Sequence, residues 1–443
     1  MKSACIVLLV GWCMGGAVQD SDLKDVRLDK IGFGSCNRQW LDQSVWERVR
    51  EYDPDVWITA GDAYYTTKLS REHGKQSLEA IRAAQKTALA SKPFREMLAG
   101  LRAPMIGTYD DHDRGVNDGG GLPGGFTRKG VFDRDERKDL FLDFLKVAKD
   151  DPRRSRDGVY ASHTYGSGRQ KLKVIVLDVR HGRSPYVIPS VATLFPPAAA
   201  LIRLFTAMVG LVDVHNGKMM SETQWSWLSQ QLDHSVQSDI AINIIVSSVQ
   251  VFTSNPLVES WGHFPKERNR LVELLQAKDP QGLIVLSGDV HVGEIIALGP
   301  GLPPVEFTSS GITHDCSDGG IPKSICKLSW ALFPQHQHGP AQESFFPYKN
   351  FGTIDVDWKA TDSGCPSVTI SIRDEKGRVA LKRIRDTCNS VLPPKGSFQL
   401  PWAFQSRAWR IFWVTSFSVS LLALGILVFR RMRPSKPAKT KNH

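Results

Sequence analysis

The fold class is indicated most clearly by residues 56–62, Val56-Trp57-Ile58-Thr59-Ala60-Gly61-Asp62. The first five of these residues, which are mostly apolar, predict a strand buried on both faces, as in a parallel sheet. Gly61 then ends the strand, and the carboxylate of Asp62 follows at once. The same order, an apolar run and then polar residues, recurs at 26–33, 104–108, 173–177, 242–246 and 283–286.

Helical patterns separate these runs, for example at 41–51 and 72–101. Alternating strands and helices predict an α/β fold, in which the carboxyl ends of parallel strands share one edge of the sheet. Side chains far apart in the sequence therefore meet at that edge. The polar residues that we expect there, as candidates for a functional site, are Cys36, Asp62, Tyr65, Asp110, Asp111, His112, Asn117, Asp289 and His291.

The chemistry of this set indicates metal ions. Carboxylates crowded at one place repel one another and take up protons unless cations neutralise them. Carboxylate oxygens together with a thiol, a phenol and imidazoles suit more than one cation. A helix cap or a hydrogen-bonded core histidine is the simpler interpretation of any single residue. That interpretation becomes improbable for Gly-Asp-x-x-Tyr, Asp-Asp-His-Asp and Gly-Asp-x-His in one chain.

Composition excludes several classes of protein. The chain has 443 residues, of which 41% are hydrophobic and 23% charged, so it is neither disordered nor fibrous. Eight basic residues in the terminal segments 1–17 and 410–443, which hold no acidic residue, account for most of the net charge of +10. The central part is close to neutral, so we expect no nucleic-acid partner.

Both ends of the chain carry patterns that are typical of membrane targeting. Residues 1–17 combine a basic start, an apolar run and small residues, which predicts a cleaved signal peptide. Residues 409–429 are charged only at Arg410 and are long enough to span a bilayer, and a basic tail follows at 430–443. Because positive residues favour the cytosolic side, we expect a lumenal body at 18–400 and a juxtamembrane link at 401–408.

The tail ends in Lys439-Thr440-Lys441-Asn442-His443, which resembles a dilysine signal for retrieval to the endoplasmic reticulum. We therefore expect a single-pass type I membrane protein of the endoplasmic reticulum or early secretory pathway. Ordinary positive-inside charge is the alternative interpretation of these two lysines.

The cysteines suit an oxidising compartment. Five remain after the predicted signal peptide, and an odd number leaves one for another role. Cys36 lies far from the other four, which form two close pairs in the sequence. Four cysteines allow three connectivities, of which we expect the bridges Cys316 to Cys326 and Cys365 to Cys388.

Taken together, the motifs resemble those of PhoD-like metallophosphatases, within the calcineurin-like metallophosphoesterase superfamily. The resemblance runs from about residue 30 to about residue 352. Its clearest motifs are Gly34-Ser35-Cys36-Asn37, Gly61-Asp62-Ala63-Tyr64-Tyr65, Tyr109-Asp110-Asp111-His112-Asp113, Leu177-Asp178-Val179-Arg180 and Ser287-Gly288-Asp289-Val290-His291. It implies a four-layer αββα sandwich, to which the sequence adds a single C-terminal transmembrane helix.

The resemblance also implies a ligand set. In PhoD-like enzymes a cysteine and a tyrosine help to hold iron, and calcium occupies neighbouring positions. Carried over to this sequence, Asp62 bridges two metals, Cys36, Tyr65, Asp289 and His291 complete one site, and Asp111 with Asn117 forms the other.

The expected activity is hydrolysis of phosphate mono- or diesters, with metal-bound hydroxide attacking phosphorus and His112 as general acid. Asp110 and Arg180 are candidates for a phosphate contact or for support of the ligands, and Asp110 is also a candidate metal ligand. For Arg114 a phosphate clamp and a salt bridge to Asp113 or Asp118 remain equally open. The alternative function is a membrane-anchored binding protein that keeps the metal scaffold without turnover.

The segment 196–212 is apolar apart from a few polar residues. It is too short to span a bilayer, and Pro196-Pro197 prevents a longer helix. A buried helix is the first interpretation. A flap that contacts the membrane is the second, and it would suit a lipid-linked phosphate substrate.

Overall fold

The computed structural model describes residues 21–23, 25–66, 77–121, 134–192, 196–253, 255–297, 303–318, 322–333, 341–359, 364–388, 408, 409, 411, 412, 415, 416 and 418. The predicted signal peptide, the basic tail and most of the predicted link and membrane helix lie outside these residues. Among the helices that the described residues form, none combines the length and hydropathy that crossing a bilayer requires.

Fourteen strands are described. In chain order they are β1 Ser21–Leu23, β2 Lys30–Gly34, β3 Val56–Ala60, β4 Ile106–Thr108, β5 Ala161–Tyr165, β6 Leu172–Val176, β7 Ile242–Val246, β8 Leu283–Ser287, β9 Gly293–Ala297, β10 Pro304–Ser309, β11 Phe345–Phe346, β12 Asn350–Asp357, β13 Ser367–Asp374 and β14 Val379–Asp386. The predicted strands are all present, and the strand at 56–60 has its predicted bounds.

Nine α-helices of the described residues connect or cover the strands. They are α1 Val45–Tyr52, α2 Leu78–Ala90, α3 Lys92–Gly100, α4 Arg134–Phe144, α5 Pro196–Met208, α6 Glu222–Gln237, α7 Pro265–Lys278, α8 Lys323–Ala331 and α9 Ala341–Ser344. The long helical region predicted over 72–101 contains two helices, α2 and α3, which are divided at Ser91, a residue with extended backbone angles. Pro93 lacks an N–H to donate and is tolerated only in a first turn, so a new helix begins beside it.

The strands form two mixed sheets. One has eight strands in the order β1-β5-β6-β7-β8-β10-β9-β11, and the other has six in the order β14-β13-β12-β2-β3-β4. In the six-stranded sheet β2, β3 and β4 are parallel, and in the eight-stranded sheet β6, β7, β8 and β10 are parallel. The α/β prediction is therefore confirmed, with the parallel strands shared between two sheets.

Three apolar clusters show how the two sheets and the helices pack against one another. One joins Ile31 and Ile58 of the six-stranded sheet to Val174 and Ile244 of the eight-stranded sheet, so the two sheets face each other. A second packs α6 and α7 against the outer face of the eight-stranded sheet. A third packs α1 to α4 against the outer face of the six-stranded sheet, around Trp57.

The carboxyl ends of the two sets of parallel strands approach each other closely. A bridge pairs Ser35, just after β2, with Ser310, just after β10. A Cβ atom on Gly288 would lie 2.5 Å from the carbonyl oxygen of Ala60 and from the hydroxyl of Ser35. Because the ends of β8, β3 and β2 meet there, only glycine fits at position 288.

Both predicted disulfides are confirmed. Cys316 is bonded to Cys326, and Cys365 to Cys388. Cys36 is free and buried, as the odd number of cysteines predicted.

Candidate metal centre

The loops that follow the central strands hold four candidate ligands in a left-handed backbone conformation. The φ angles are 67° at Cys36, 51° at Asp62, 73° at Asp289 and 59° at His291. Residues other than glycine seldom adopt this region, and each such residue costs about 1–3 kcal/mol. Four of them at one place indicate a site where side-chain position matters more than backbone ease.

Five side chains from both sheets form what we term the Cys36 cluster: Cys36, Asp62, Tyr65, His291 and His314. The hydroxyl of Tyr65 donates to Asp62 Oδ2 at 2.6 Å. The same hydroxyl lies 3.5 Å from His291 Nε2 and 3.4 Å from His314 Nε2. The Cys36 thiol lies 3.8 Å from Asp62 Oδ2. Four members of this cluster are among the residues predicted from the sequence, and His314 is not.

His314 also lies after a parallel strand. It follows β10, a buried strand that ends at Ser309, and β10 lies beside β8 in parallel. Its Nε2 is 3.2 Å from Nε2 of His291. Two imidazole nitrogens that face each other so closely, beside a thiol and a carboxylate, form a donor set suited to a transition metal.

Burial shifts the pKa values of the cluster towards uncharged forms. It raises the pKa of the Cys36 thiol, and it raises that of Asp62 well above its usual range with help from Asp111 and Asp110. Burial lowers the pKa of His291 to about 3 and that of His314 well below its usual value. Without a cation, this cluster therefore favours protonated acids and neutral imidazoles.

Candidate ligand atoms within 4.8 Å of one another fall into overlapping groups. One consists of Cys36, Asp62 and His291, and a second of Asp62, Asp111 and His112. Asp62 belongs to both groups, which fits the predicted bridging position. Asp111 is buried, and its Oδ1 has no hydrogen-bond partner among the described residues. An oxygen buried in this way is suited to a cation.

Asp289 completes a third group with Asp110 and Asp111. Burial raises the pKa of Asp289 well above its usual range, and the neighbouring carboxylates Asp110 and Glu259 add to the shift. The residues present therefore fit a soft cation beside the Cys36 cluster and harder cations beside the carboxylates.

A second group of charges lies beside these carboxylates, and we term it the Arg180 cluster: Asp110, Arg180, Arg183 and Glu259. Arg180 Nε donates to Asp110 Oδ1 at 2.5 Å, and its Nη2 donates to Asp110 Oδ2 at 2.8 Å. Its Nη1 donates to Glu259 Oε1 at 2.5 Å, and Arg183 donates to the same oxygen. Because Arg180 is fully buried and donates to two carboxylates, its position suits support of ligands more than contact with phosphate.

Asp110 has contacts that compete with a metal. Both oxygens of its carboxylate accept from Arg180, and Oδ1 also accepts from Ser248 at 2.5 Å. Asp110 lies within reach of Asp111 and Asp289, but its charge is already matched by a guanidinium.

Arg114 and Asn117 are two further predicted site residues in the loop after β4. Arg114 is buried, its guanidinium lies 5.4 Å from the ring centre of Tyr109, and the three nitrogens of that guanidinium have no hydrogen-bond partner among the residues that the structure describes. No ion pair joins it to Asp113 or Asp118 in the part of the chain that the structure describes. Asn117 donates to the carbonyl oxygen of Ala192 at 3.1 Å.

Asp113 connects the loops of the site. Its Oδ2 accepts from the backbone N–H of Asp62 at 2.7 Å and of Asp110 at 2.8 Å, and its Oδ1 accepts from Tyr64. The last aspartate of Asp-Asp-His-Asp therefore fixes the loop after β3 against the loop after β4.

His112 is the half-buried histidine of the loop after β4. Its ring centre is 4.2 Å from that of Tyr65, and its backbone N–H donates to Asp62 Oδ1 at 3.2 Å. Burial lowers the pKa of its imidazole, while the carboxylate of Asp111 opposes the shift. The side chain is half-buried, so a substrate can reach it.

Comparisons with known proteins agree with this architecture. The fold and the donor set define a two-sheet α/β protein with a candidate polynuclear metal centre at the strand ends. The sequence model of the PhoD-like phosphatase family matches residues 32–362, and the chain belongs to that family. The predicted relationship is thereby confirmed, and with it the assignment as a phosphatase.

A solved structure described as "Structure of PhoD" has the same fold, with a TM-score of 0.53 and 15% sequence identity. The match covers 84% of this chain and 73% of that chain. No curated protein matches the sequence significantly.

Proposed function

We propose that this phosphatase hydrolyses phosphate mono- or diesters with the help of at least two metal ions. The observation that carries the proposal is the position of Asp62, whose carboxylate belongs to one ligand group with a thiol and to another with carboxylate and imidazole. A chain that had lost turnover and kept only the scaffold would be expected to lack at least one of these donors.

The residues that would hold the metals follow from the donor set. Cys36, Tyr65 and the two histidines at 291 and 314 suit iron, and Asp111 with Asp289 suits calcium or another divalent cation. Metal ions held by these residues would neutralise phosphate oxygens and would lower the pKa of the attacking water.

The chain itself supplies a proton and fixed geometry. The His112 imidazole is the proposed proton donor to the leaving oxygen, since it is reachable and lies beside Asp62 and Tyr65. Its pKa is low in the free protein, and the negative charge of a bound phosphate ester raises it. Asp113 and Arg180 hold the loops and carboxylates in place.

Membrane attachment and a lipid-linked substrate are part of the proposal. The sequence at 409–429 supports an anchor, and Lys439 with Lys441 supports residence in the endoplasmic reticulum. Helix α8 buries Cys326 and Trp330, while Ile325 and Leu328 of the helix, and Leu332 directly after it, are 52%, 55% and 58% exposed. An outward apolar stripe of this kind suits contact with lipid.

Helix α5 adds a second apolar element near the site. Its residues Ala199, Ala207 and Met208 are buried, whereas Leu201 is 56% exposed. Arg203 of the same helix pairs with Asp118 at 2.5 Å, and the backbone N–H of Asp118 donates to Asp111. The helix thus has a packed face linked to the carboxylates and an exposed leucine, which supports the flap.

The test is phosphate release from soluble and lipid-linked mono- and diesters by the full-length protein in detergent and in vesicles. We expect turnover of at least one ester and metals in the same sample. Replacement of Ile325, Leu328 and Leu332 together by Ser should slow hydrolysis of the lipid-linked ester and leave hydrolysis of the soluble ester unchanged. Absence of turnover on every ester by a folded, metal-loaded protein would favour the binding protein instead.

A further inference from the structure

Arg38 follows the predicted ligand Cys36 in the loop after β2, and the sequence analysis assigned it no role. Its backbone N–H donates to the Thr313 hydroxyl at 2.7 Å. Its carbonyl oxygen accepts from the N–H of Leu41 at 2.9 Å and from the Gln43 amide at 3.1 Å. The backbone of Arg38 is therefore held on both sides, and its side chain starts from a fixed point beside the site.

The guanidinium of Arg38 borders the Cys36 cluster. It lies 5.4 Å from the ring centre of Tyr65. The hydroxyl of that ring donates to Asp62, and the ring itself lies 4.2 Å from the imidazole of His112. Arg38 is half-buried, so a ligand that reaches His112 also reaches the guanidinium.

The other arginines near the site lack donors that a substrate can reach. Arg180 and Arg183 are buried on Glu259, and Arg203 pairs with Asp118 at 2.5 Å. Arg114 is buried against Tyr109. Among the residues that the structure describes, no carboxylate pairs with the guanidinium of Arg38, and no hydrogen bond engages it. Its five N–H donors thus remain open to an anion.

We propose that Arg38 binds a phosphoryl oxygen that does not react, and that it thereby favours phosphate monoesters over diesters. This inference rests on the proposed function and adds the substrate class. A monoester keeps three terminal oxygens and two negative charges near neutral pH, whereas a diester keeps two oxygens and one charge. A guanidinium beside the metal ligands gains more from the dianion, because it forms charge-assisted hydrogen bonds in pairs.

The experiment compares Arg38→Met and Arg38→Lys with the wild-type full-length protein. The matched control is Arg82→Met, since Arg82 is 57% exposed on α2. The measurements are kcat and KM for p-nitrophenyl phosphate and bis-p-nitrophenyl phosphate, binding of inorganic phosphate by calorimetry, and metal content.

For Arg38→Met we expect kcat/KM for the monoester and affinity for inorganic phosphate to fall by about 10- to 100-fold, the range of a charged hydrogen bond. The kcat/KM for the diester should fall by less than about threefold, and metal content should stay unchanged. Arg38→Lys should lie between Arg38→Met and the wild type, because lysine keeps the charge without the planar fork.

Equal losses on both esters, or unchanged affinity for phosphate, would overturn the role of Arg38. Loss of metal in Arg38→Met and Arg38→Lys would overturn it too, since the residue would then maintain the ligand set. If the wild type hydrolysed neither ester, the proposed function would fail, while phosphate binding would still test Arg38 separately.

Discussion

The Cys36 cluster and the Arg180 cluster lie at the same edge of the strands and are both buried. They differ in whether basic side chains neutralise their carboxylates. In the Arg180 cluster each carboxylate has a guanidinium partner within hydrogen-bond distance. In the Cys36 cluster the carboxylate of Asp62 meets a phenol, a thiol and a backbone N–H, and no cation of the described chain.

The pKa values express the same difference. Burial alone would raise the pKa of Glu259, but Arg180 and Arg183 hold it well below its usual range. Burial and neighbouring carboxylates raise the pKa of Asp62. One half of the site is thus neutralised by the protein itself, and the other half depends on bound cations.

The largest effect is expected for Asp62→Asn. Asparagine keeps the shape and tolerates the left-handed backbone, but it removes the charge that two ligand groups share. We expect loss of metal and of nearly all phosphatase activity, a fall of more than about 100-fold, because even residues that only support ligands contribute 10- to 100-fold. Elemental analysis and phosphate release measure both effects. Asp25→Asn, at an exposed carboxylate, is the control, and full turnover in Asp62→Asn would refute the assignment.

The next largest effect is expected in the Arg180 cluster, whose charges are neutralised by the protein's own side chains. Arg180→Met leaves Asp110 and Glu259 buried without their shared partner, and it should lower the free energy of unfolding by about 3–5 kcal/mol. Chemical denaturation measures this loss. It should be as large after chelation as before, since the partner of these carboxylates is a side chain. A loss that disappears in the metal-free protein would show that the two halves are not separate.

Cys36→Ser should affect only the metal-dependent half. Serine lacks the thiolate that suits a transition metal such as iron, so we expect loss of the charge-transfer colour of a ferric site and a lower iron content. Visible absorption and elemental analysis measure these changes. Peptide mapping should find the two disulfides and a free Cys36 in the wild type. A mapped bridge to Cys36 would contradict its role as a ligand.

A smaller effect is expected in the pH dependence of the chelated protein. Asp62 and Asp289 have raised pKa values, so the folded state binds more protons than the unfolded state. Stability should therefore fall as pH rises above about 4, the ordinary pKa of aspartate, and added metal should oppose the fall. Glu259, whose pKa is lowered, keeps its contribution in this range. Denaturation of wild type and Asp62→Asn should give a shallower slope for the variant, and equal slopes would contradict the shift.

Much of the site could be predicted because polar residues that follow apolar parallel strands meet at one edge of the sheet. Asp62, Asp111, Asp289 and His291 each follow an apolar run, so their positions at one edge could be inferred without coordinates. The rule did not divide the runs between two sheets, because buried parallel strands look alike whichever sheet they join.

Contacts between distant loops escaped the sequence analysis. His314 follows β10, whose pairing with β8 places it beside His291. Glu259, which accepts a hydrogen bond from Arg180, lies late in the long loop after β7 and not directly at the end of that strand. Position along the chain does not reveal such contacts, since they depend on how loops from two sheets pack.

The dependence of hydrolysis on bound metal is tested by measuring phosphate release before chelation, after chelation and after return of the metals. The full-length protein should lose its activity with its metals, remain folded through the Arg180 cluster, and recover activity when iron and a divalent cation are restored. Unchanged hydrolysis by a protein shown by elemental analysis to be free of metal would contradict the account.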